Sequence, residues 1–312
     1  MRLFIILLLV TGFAAVAPVG GAAADVKTEP MIRPSFGDVP YATLSRSEVM
    51  DVYVPGGTGP FPVVLYIHGG AFRYGSKDEP RYGDSMDVRI LLNVGIAIAS
   101  INYRMSAEAP FPAAVIDARA AVRWLRAHAE KLSLDPARIA LWGKSAGGNI
   151  ALLVAMSDGD KIFDDPRLEN NNIPSQVRGV VALYAPTDFL SMDVQNEQNP
   201  MCRGAPRHNA PDSAESLYIG SSIQENMQQA RAASPANYVA SAAVPVLLQA
   251  GTHDCTVPVQ QSQALYDALL PRLGPGKISL TMLTGATHAD PVFDRVENLT
   301  VIRDFLRGVL QR

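Results

Sequence analysis

The sequence predicts an α/β fold, a mostly parallel central sheet covered by helices on both faces. Three observations lead there. Apolar runs at 62–67, 95–101, 177–184 and 245–249 are continuous rather than alternating, as strands buried on both faces must be. Helical patterns lie between them, with Val115, Ala118, Val122 and Leu125 recurring at the period of a one-sided helix. A chain of 312 residues that is 48% hydrophobic can also bury a large core within one domain.

Taken in order, the chain opens with a short positive start, Met1 and Arg2, then an apolar run at 3–10 and small residues at 20–24. That is the layout of a secretory signal peptide cleaved after Ala24. Thr11, Gly12 and Pro18 interrupt the apolar stretch and argue against a membrane anchor. The expectation is a periplasmic or secreted protein whose mature part, 25–312, is a single domain. Residues 25–42 read as an extended lead-in, and 49–54, ending at a Pro/Gly cluster, as part of an early edge hairpin. Strands follow at 62–67 and 95–101, a helix at 113–129, and a buried strand at 139–142 that leads to a helix over 149–156. Next come strands at 177–184 and 245–249, a helix at 259–270, a strand at 278–283 and a helix at 294–310. Residues 186–240 break the rhythm with Pro200, Pro206, Pro211 and a Gln/Asn-rich segment. A long irregular insertion after a strand of such a sheet is placed over the C-terminal strand ends, where ligands bind. It reads as a small lid or pocket wall.

Charged residues make up 18% of the chain, and the formal net charge is −3. No basic run or stripe suggests nucleic acid as a partner. The chemistry concentrates at Gly143-Lys144-Ser145-Ala146-Gly147, a G-x-S-x-G turn between strand and helix. Glycines are needed at its ends because side chains there would collide with neighbouring backbone, and the helix beyond points its positive end at the serine. A serine hydroxyl needs a base, and the base needs a carboxylate to hold its tautomer. Of five histidines, His128 falls on a charged helix face with Arg123 and Arg126, His208 in the insertion, and His68 and His253 at strand ends. His288 lies in a small-residue loop after the last strand, late enough to leave room for an acid between it and the serine. Asp254, just past a buried strand, is preferred as that acid, with Asp188 as its rival. One backbone N–H donor to an oxyanion is placed at Ala146, and others within His68-Gly-Gly-Ala71.

These motifs together resemble the α/β-hydrolase esterases, close to the hormone-sensitive-lipase-like and bacterial feruloyl-esterase-like carboxylesterases. The matching residues are His68-Gly-Gly-Ala-Phe72, Asn102-Tyr-Arg104 with Ala109-Pro-Phe-Pro112, Gly143 to Gly148, Gly251-Thr-His-Asp254 with Val257-Pro258, and Gly285-Ala-Thr-His288. The resemblance implies Ser145 as nucleophile, Asp254 as acid, His288 as base, Gly70, Ala71 and Ala146 as the oxyanion donors, and no metal or organic cofactor. Lys144 departs from the Asp usual in the hormone-sensitive-lipase-like branch and favours the feruloyl-esterase-like one. Gly-Gly-Ala in place of Gly-Gly-Gly bears on tertiary-alcohol esters. The expected function is a serine carboxylesterase acting on a small-molecule ester. A peptidase or amidase of the same fold is the alternative, and a catalytically dead binding module a distant third. The two cysteines, Cys202 and Cys255, are expected to pair if the chain is exported, pinning the insertion beside the acid.

Overall fold

The computed structural model describes residues 32–82 and 86–311. The expected signal peptide lies outside the described residues. Eight strands form one sheet: β1 (Phe36–Pro40), β2 (Val49–Tyr53), β3 (Phe61–Ile67), β4 (Ala97–Ile101), β5 (Leu134–Lys144), β6 (Val180–Leu183), β7 (Val246–Gly251) and β8 (Ile278–Leu283). Their spatial order is β1-β2-β4-β3-β5-β6-β7-β8. The pairs from β4–β3 to β7–β8 are parallel, and β1–β2 and β2–β4 are antiparallel. The fold is the expected α/β-hydrolase one. The early edge hairpin is present: β2 pairs antiparallel with β1 at the edge of the sheet and joins it to β4, while β3, beyond the Pro/Gly cluster, runs parallel.

Helices α1 (Glu79–Tyr82) and α2 (Met86–Leu92) join β3 to β4, and α3 (Ala113–Ala127) joins β4 to β5. After β5 comes α4 (Ala146–Met156). The insertion carries α5 (Met192–Gln198), α6 (Ala214–Ile219) and α7 (Met227–Ala232). Then α8 (Val259–Leu273) and α9 (Val296–Leu310) flank β8. The continuous apolar strands are explained by the pleat, which sends successive side chains to opposite faces. Val63, Leu65, Ile67 and Leu141 pack with α3, α4 and α8, whereas Val64, Tyr66, Ala140 and Trp142 pack with Val88 and Leu91 of α2 and Leu299, Ile302 and Leu306 of α9. Val115, Ala118, Val122 and Leu125 are all buried, as their spacing requires.

The charged face of α3 is partly buried. Arg123 is buried and donates to Asp164 Oδ1, Asn171 Oδ1 and the Ile173 carbonyl, and His128 stacks on Trp124. Among the described residues, no helix is long and apolar enough to cross a membrane.

Candidate active site

The sheet brings the ends of β3, β5, β6, β7 and β8 to one edge. Ile67 lies beside Gly143, and Leu183 beside Lys144. Chain leaving β5 turns into α4 at Ser145, whose φ of 52° and ψ of −120° are strained for a residue with a side chain. Its N–H is held by the Leu183 carbonyl at 2.9 Å. A Cβ on Gly143 would stand 2.1 Å from the Gly147 carbonyl oxygen, and one on Gly147 2.0 Å from that of Ile67. Both glycines are therefore obligatory for the turn, for the reason that the motif suggested.

Ser145, His288 and Asp254 stand in line. Ser145 Oγ lies 2.9 Å from His288 Nε2, and His288 Nδ1 lies 2.8 Å from Asp254 Oδ2. The other Asp254 oxygen accepts the backbone N–H groups of Thr256 and Val257, both at 2.9 Å, so the carboxylate is locked in its buried loop. This network assigns Nδ1 as donor to Asp254 and leaves Nε2 free to accept the serine proton. The rival acid Asp188 is engaged elsewhere, accepting the N–H of Leu190 at the start of a helical turn. Asp290 likewise caps the turn Pro291–Asp294.

The strand end after β3 supplies the expected donors. A Cβ on Gly69 would lie 3.0 Å from the Lys144 carbonyl oxygen, so a side chain there would crowd the serine turn. Gly70 (φ 103°) and Ala71 (φ 55°) turn left-handed beyond it. Among the described residues, the N–H groups of Gly70, Ala71 and Ala146 have no protein acceptor, and all three residues line one cavity with Ser145 and His288. His68 braces the loop from below. Its ring stacks on Tyr103 at 4.5 Å, and its Nδ1 donates to the Gly69 carbonyl at 2.7 Å. Burial pushes the imidazole down to about 4 against that hydrogen bond, so it stays neutral. From above, Phe72 stacks on Tyr218 of α6 with centroids 3.8 Å apart.

The cavity measures about 1240 Å³. One wall is the insertion, through Pro206, Arg207, His208, Ala210 and 212–215; the other carries Tyr74, Glu79, Asp87, Lys144 and Asp294. Cys202 and Cys255 form a disulfide that joins the insertion to the residue after Asp254. Asn149 of α4 donates to the carbonyls of both Pro186 and Ala233, pinning the insertion near its two ends. Among the described residues, no three His, Cys, Asp or Glu side chains gather as a metal site would require.

A family model described as BD-FAE matches residues 50–269, well over half of the chain. The chain belongs to the BD-FAE family. It is similar to the probable carboxylic ester hydrolase LipM of Mycobacterium tuberculosis, 30% identical over 75% of this chain and 51% of LipM. It is also similar to the esterase LipC of the same organism, 27% identical over 89% of this chain and 64% of LipC. The chain thus spans between about half and under two thirds of the length of these relatives. Among solved structures, a truncated carbohydrate esterase from gut microbiota superposes with a TM-score of 0.76 at 25% identity, covering 89% of this chain and 96% of that one.

In this BD-FAE chain, three parts of the site escaped the sequence reading. The segment carrying α1 and α2, which brings Glu79 and Asp87 to the cavity, shows too short a pattern to register as helix. Tyr184, in a left-handed conformation (φ 40°), presents its ring edge-on to His288 at 4.8 Å. Its only sequence signal was its place at the end of β6. His208, placed by the sequence only in the insertion, lines the cavity. It is buried, its Nδ1 3.1 Å from Glu215 Oε2. Burial opposes its charged form, but Glu215 outweighs that and raises its pKa.

Proposed function

We propose that this chain is a serine carboxylesterase that works through an acyl-enzyme on Ser145, in the periplasm or outside the cell. The observation that carries the reading is the unbroken line from Ser145 Oγ through His288 to Asp254, opening on the cavity that the amides of Gly70, Ala71 and Ala146 also face. In the first half-reaction, Oγ attacks the ester carbonyl as its proton passes to His288 Nε2. The three amides bind the oxyanion, each lost donor of this kind costing roughly 100- to 1,000-fold. The C–O bond then breaks, and His288 returns the proton to the departing alcohol. Water repeats the sequence in the second half-reaction and releases the acid. Asp254 holds the imidazole tautomer and stabilises the imidazolium.

The esterase names of relatives support ester over amide chemistry. The cavity is large and its lining is mostly apolar, with Glu79, Asp87, Arg207 and His208 among the polar side chains on its walls. Residues 186–240 form its wall as a lid-like insertion on a single domain, 25–312. The apolar leader at 3–10 and the bridged cysteines support export.

The test pairs a short p-nitrophenyl ester with the matching p-nitroanilide. Rapid ester hydrolysis with a burst of p-nitrophenol, and little anilide turnover, is expected. A preference for the anilide would turn the assignment to an amidase.

A further inference from the structure

Lys144 is a site residue that this chemistry leaves without a task. It directly precedes Ser145, yet only 7% of its side chain is exposed. Its ammonium donates to Asp294 Oδ1 at 2.7 Å and to Asp87 Oδ2 at 3.1 Å, with the rings of Tyr66 and Trp142 at 5.8 and 5.9 Å. Burial favours the neutral amine, but Tyr66, the two carboxylates and Tyr184 outweigh it, so the ammonium persists. The two carboxylates are unlike. Asp87 is largely buried on α2, whereas Asp294 is 52% exposed at the end of the turn that follows the His288 loop. A half-exposed carboxylate gains little stability from an ion pair. What the pair does fix is where that loop ends.

We propose that Lys144 is a positioning residue for His288, clamping the 285–294 loop to the serine turn through Asp294. This rests on the serine-esterase reading above. The loop is held before His288 by Gly285 N–H on Thr252 Oγ1 at 2.8 Å and by His253 N–H on the Ala286 carbonyl at 2.9 Å. After His288 it is held by the Lys144–Asp294 pair and by Asn298 Nδ2 on the Phe293 carbonyl at 2.8 Å. Phe293 packs on Tyr184 at 4.6 Å, and Tyr184 in turn packs on the His288 ring. One ammonium beside Ser145 therefore ties base to nucleophile by a route separate from the Oγ–Nε2 hydrogen bond. That hydrogen bond is lost whenever an acyl group sits on Oγ. The clamp survives in the acyl-enzyme, when His288 must hold and deprotonate a water. A displacement of about 1 Å at such a stage can cost about 100-fold.

The experiment measures kcat, KM and melting temperature of the full chain with p-nitrophenyl butyrate for Asp294→Asn and Asp294→Glu, with Ser145→Ala as the reference. Asp294→Asn is expected to lower kcat about tenfold or more, with KM within about twofold and melting temperature nearly unchanged, and Asp294→Glu to restore most of kcat. The proposal is overturned if Asp294→Asn keeps kcat within about twofold, if the change appears in KM alone, or if loss of activity tracks loss of melting temperature and Glu does not rescue it. Retained activity in Ser145→Ala would instead sink the serine reading itself, and this inference with it.

Discussion

On the proposed mechanism Ser145 draws its reactivity from two side chains far away in sequence, so substitutions at the three positions should not cost the same. Ser145→Ala and His288→Ala should each lower kcat about a million-fold without unfolding the chain, because the pair acts as a unit. Asp254→Asn should cost about ten thousand-fold as the tautomer is lost, and Asp188→Asn little. Initial rates on a chromogenic ester check all four, and a crippled Asp188→Asn beside a healthy Asp254→Asn would reverse the acid assignment. This much was legible because the motifs fix chain order and the acid had only two plausible positions. Tyr184 was not legible. Nothing local to it reports that its backbone turns left-handed or that its ring meets His288. A second residue-scale effect lies under the edge of the sheet, where Glu48 and Asp117 share Arg104. Burial, and then the charge of Asp117, push the Glu48 carboxyl from 4.5 to about 7. A carboxyl raised in the folded state holds a proton that the unfolded chain releases sooner. Its stabilising contribution is therefore full below pH 4.5 and lost as pH rises towards about 7. Glu48→Gln keeps the neutral form and should flatten that part of the stability profile. Urea unfolding between pH 4 and 8 measures it, and an unchanged slope would show that Glu48 is not the titrating group.

At the scale of elements, the unit from β5 through Ser145 to α4 is tightly constrained. Gly147→Ala places a methyl 2.0 Å from the Ile67 carbonyl oxygen, a clash with backbone that no rotamer relieves. A loss of at least about 3 kcal/mol by urea unfolding is expected, at the upper end of overpacking costs. A loss below about 1 kcal/mol would mean that β3 and α4 can separate. The strand–turn–helix pattern showed this unit in the sequence because both its glycines and its apolar run are local signals. The insertion is the opposite case. Its irregularity was visible, but the residues it presents to the cavity depend on anchors such as Asn149, which bonds carbonyls 37 and 84 residues away. Helices α1 and α2 went unseen for a related reason. They span only 4 and 7 residues, too few for a period to emerge.

For the molecule as a whole, the order of the sheet decides the site. Strands β3, β5, β6, β7 and β8 are consecutive neighbours, so loops far apart in sequence converge at one edge. The Cys202–Cys255 bridge then closes a span of 53 residues around the insertion. Replacing both cysteines by serine should lower stability by about 4 kcal/mol on the chain-entropy account. Chemical unfolding of the oxidised protein against the double variant measures it. Two free thiols in unreduced protein from an oxidising compartment would show that the bridge does not form. The long reach between Ser145 and His288, 143 residues apart, has a further consequence during biosynthesis. A growing chain carries its nucleophile early, yet it has no base until β8 has been added and the following loop has emerged. On the proposed reading, a nascent chain that has not yet reached His288 is silent towards esters, and hydrolysis can switch on only once synthesis has passed His288 and the sheet has closed around it. The first turnover of a newly made molecule would then report that the sheet and the His288 loop have come together.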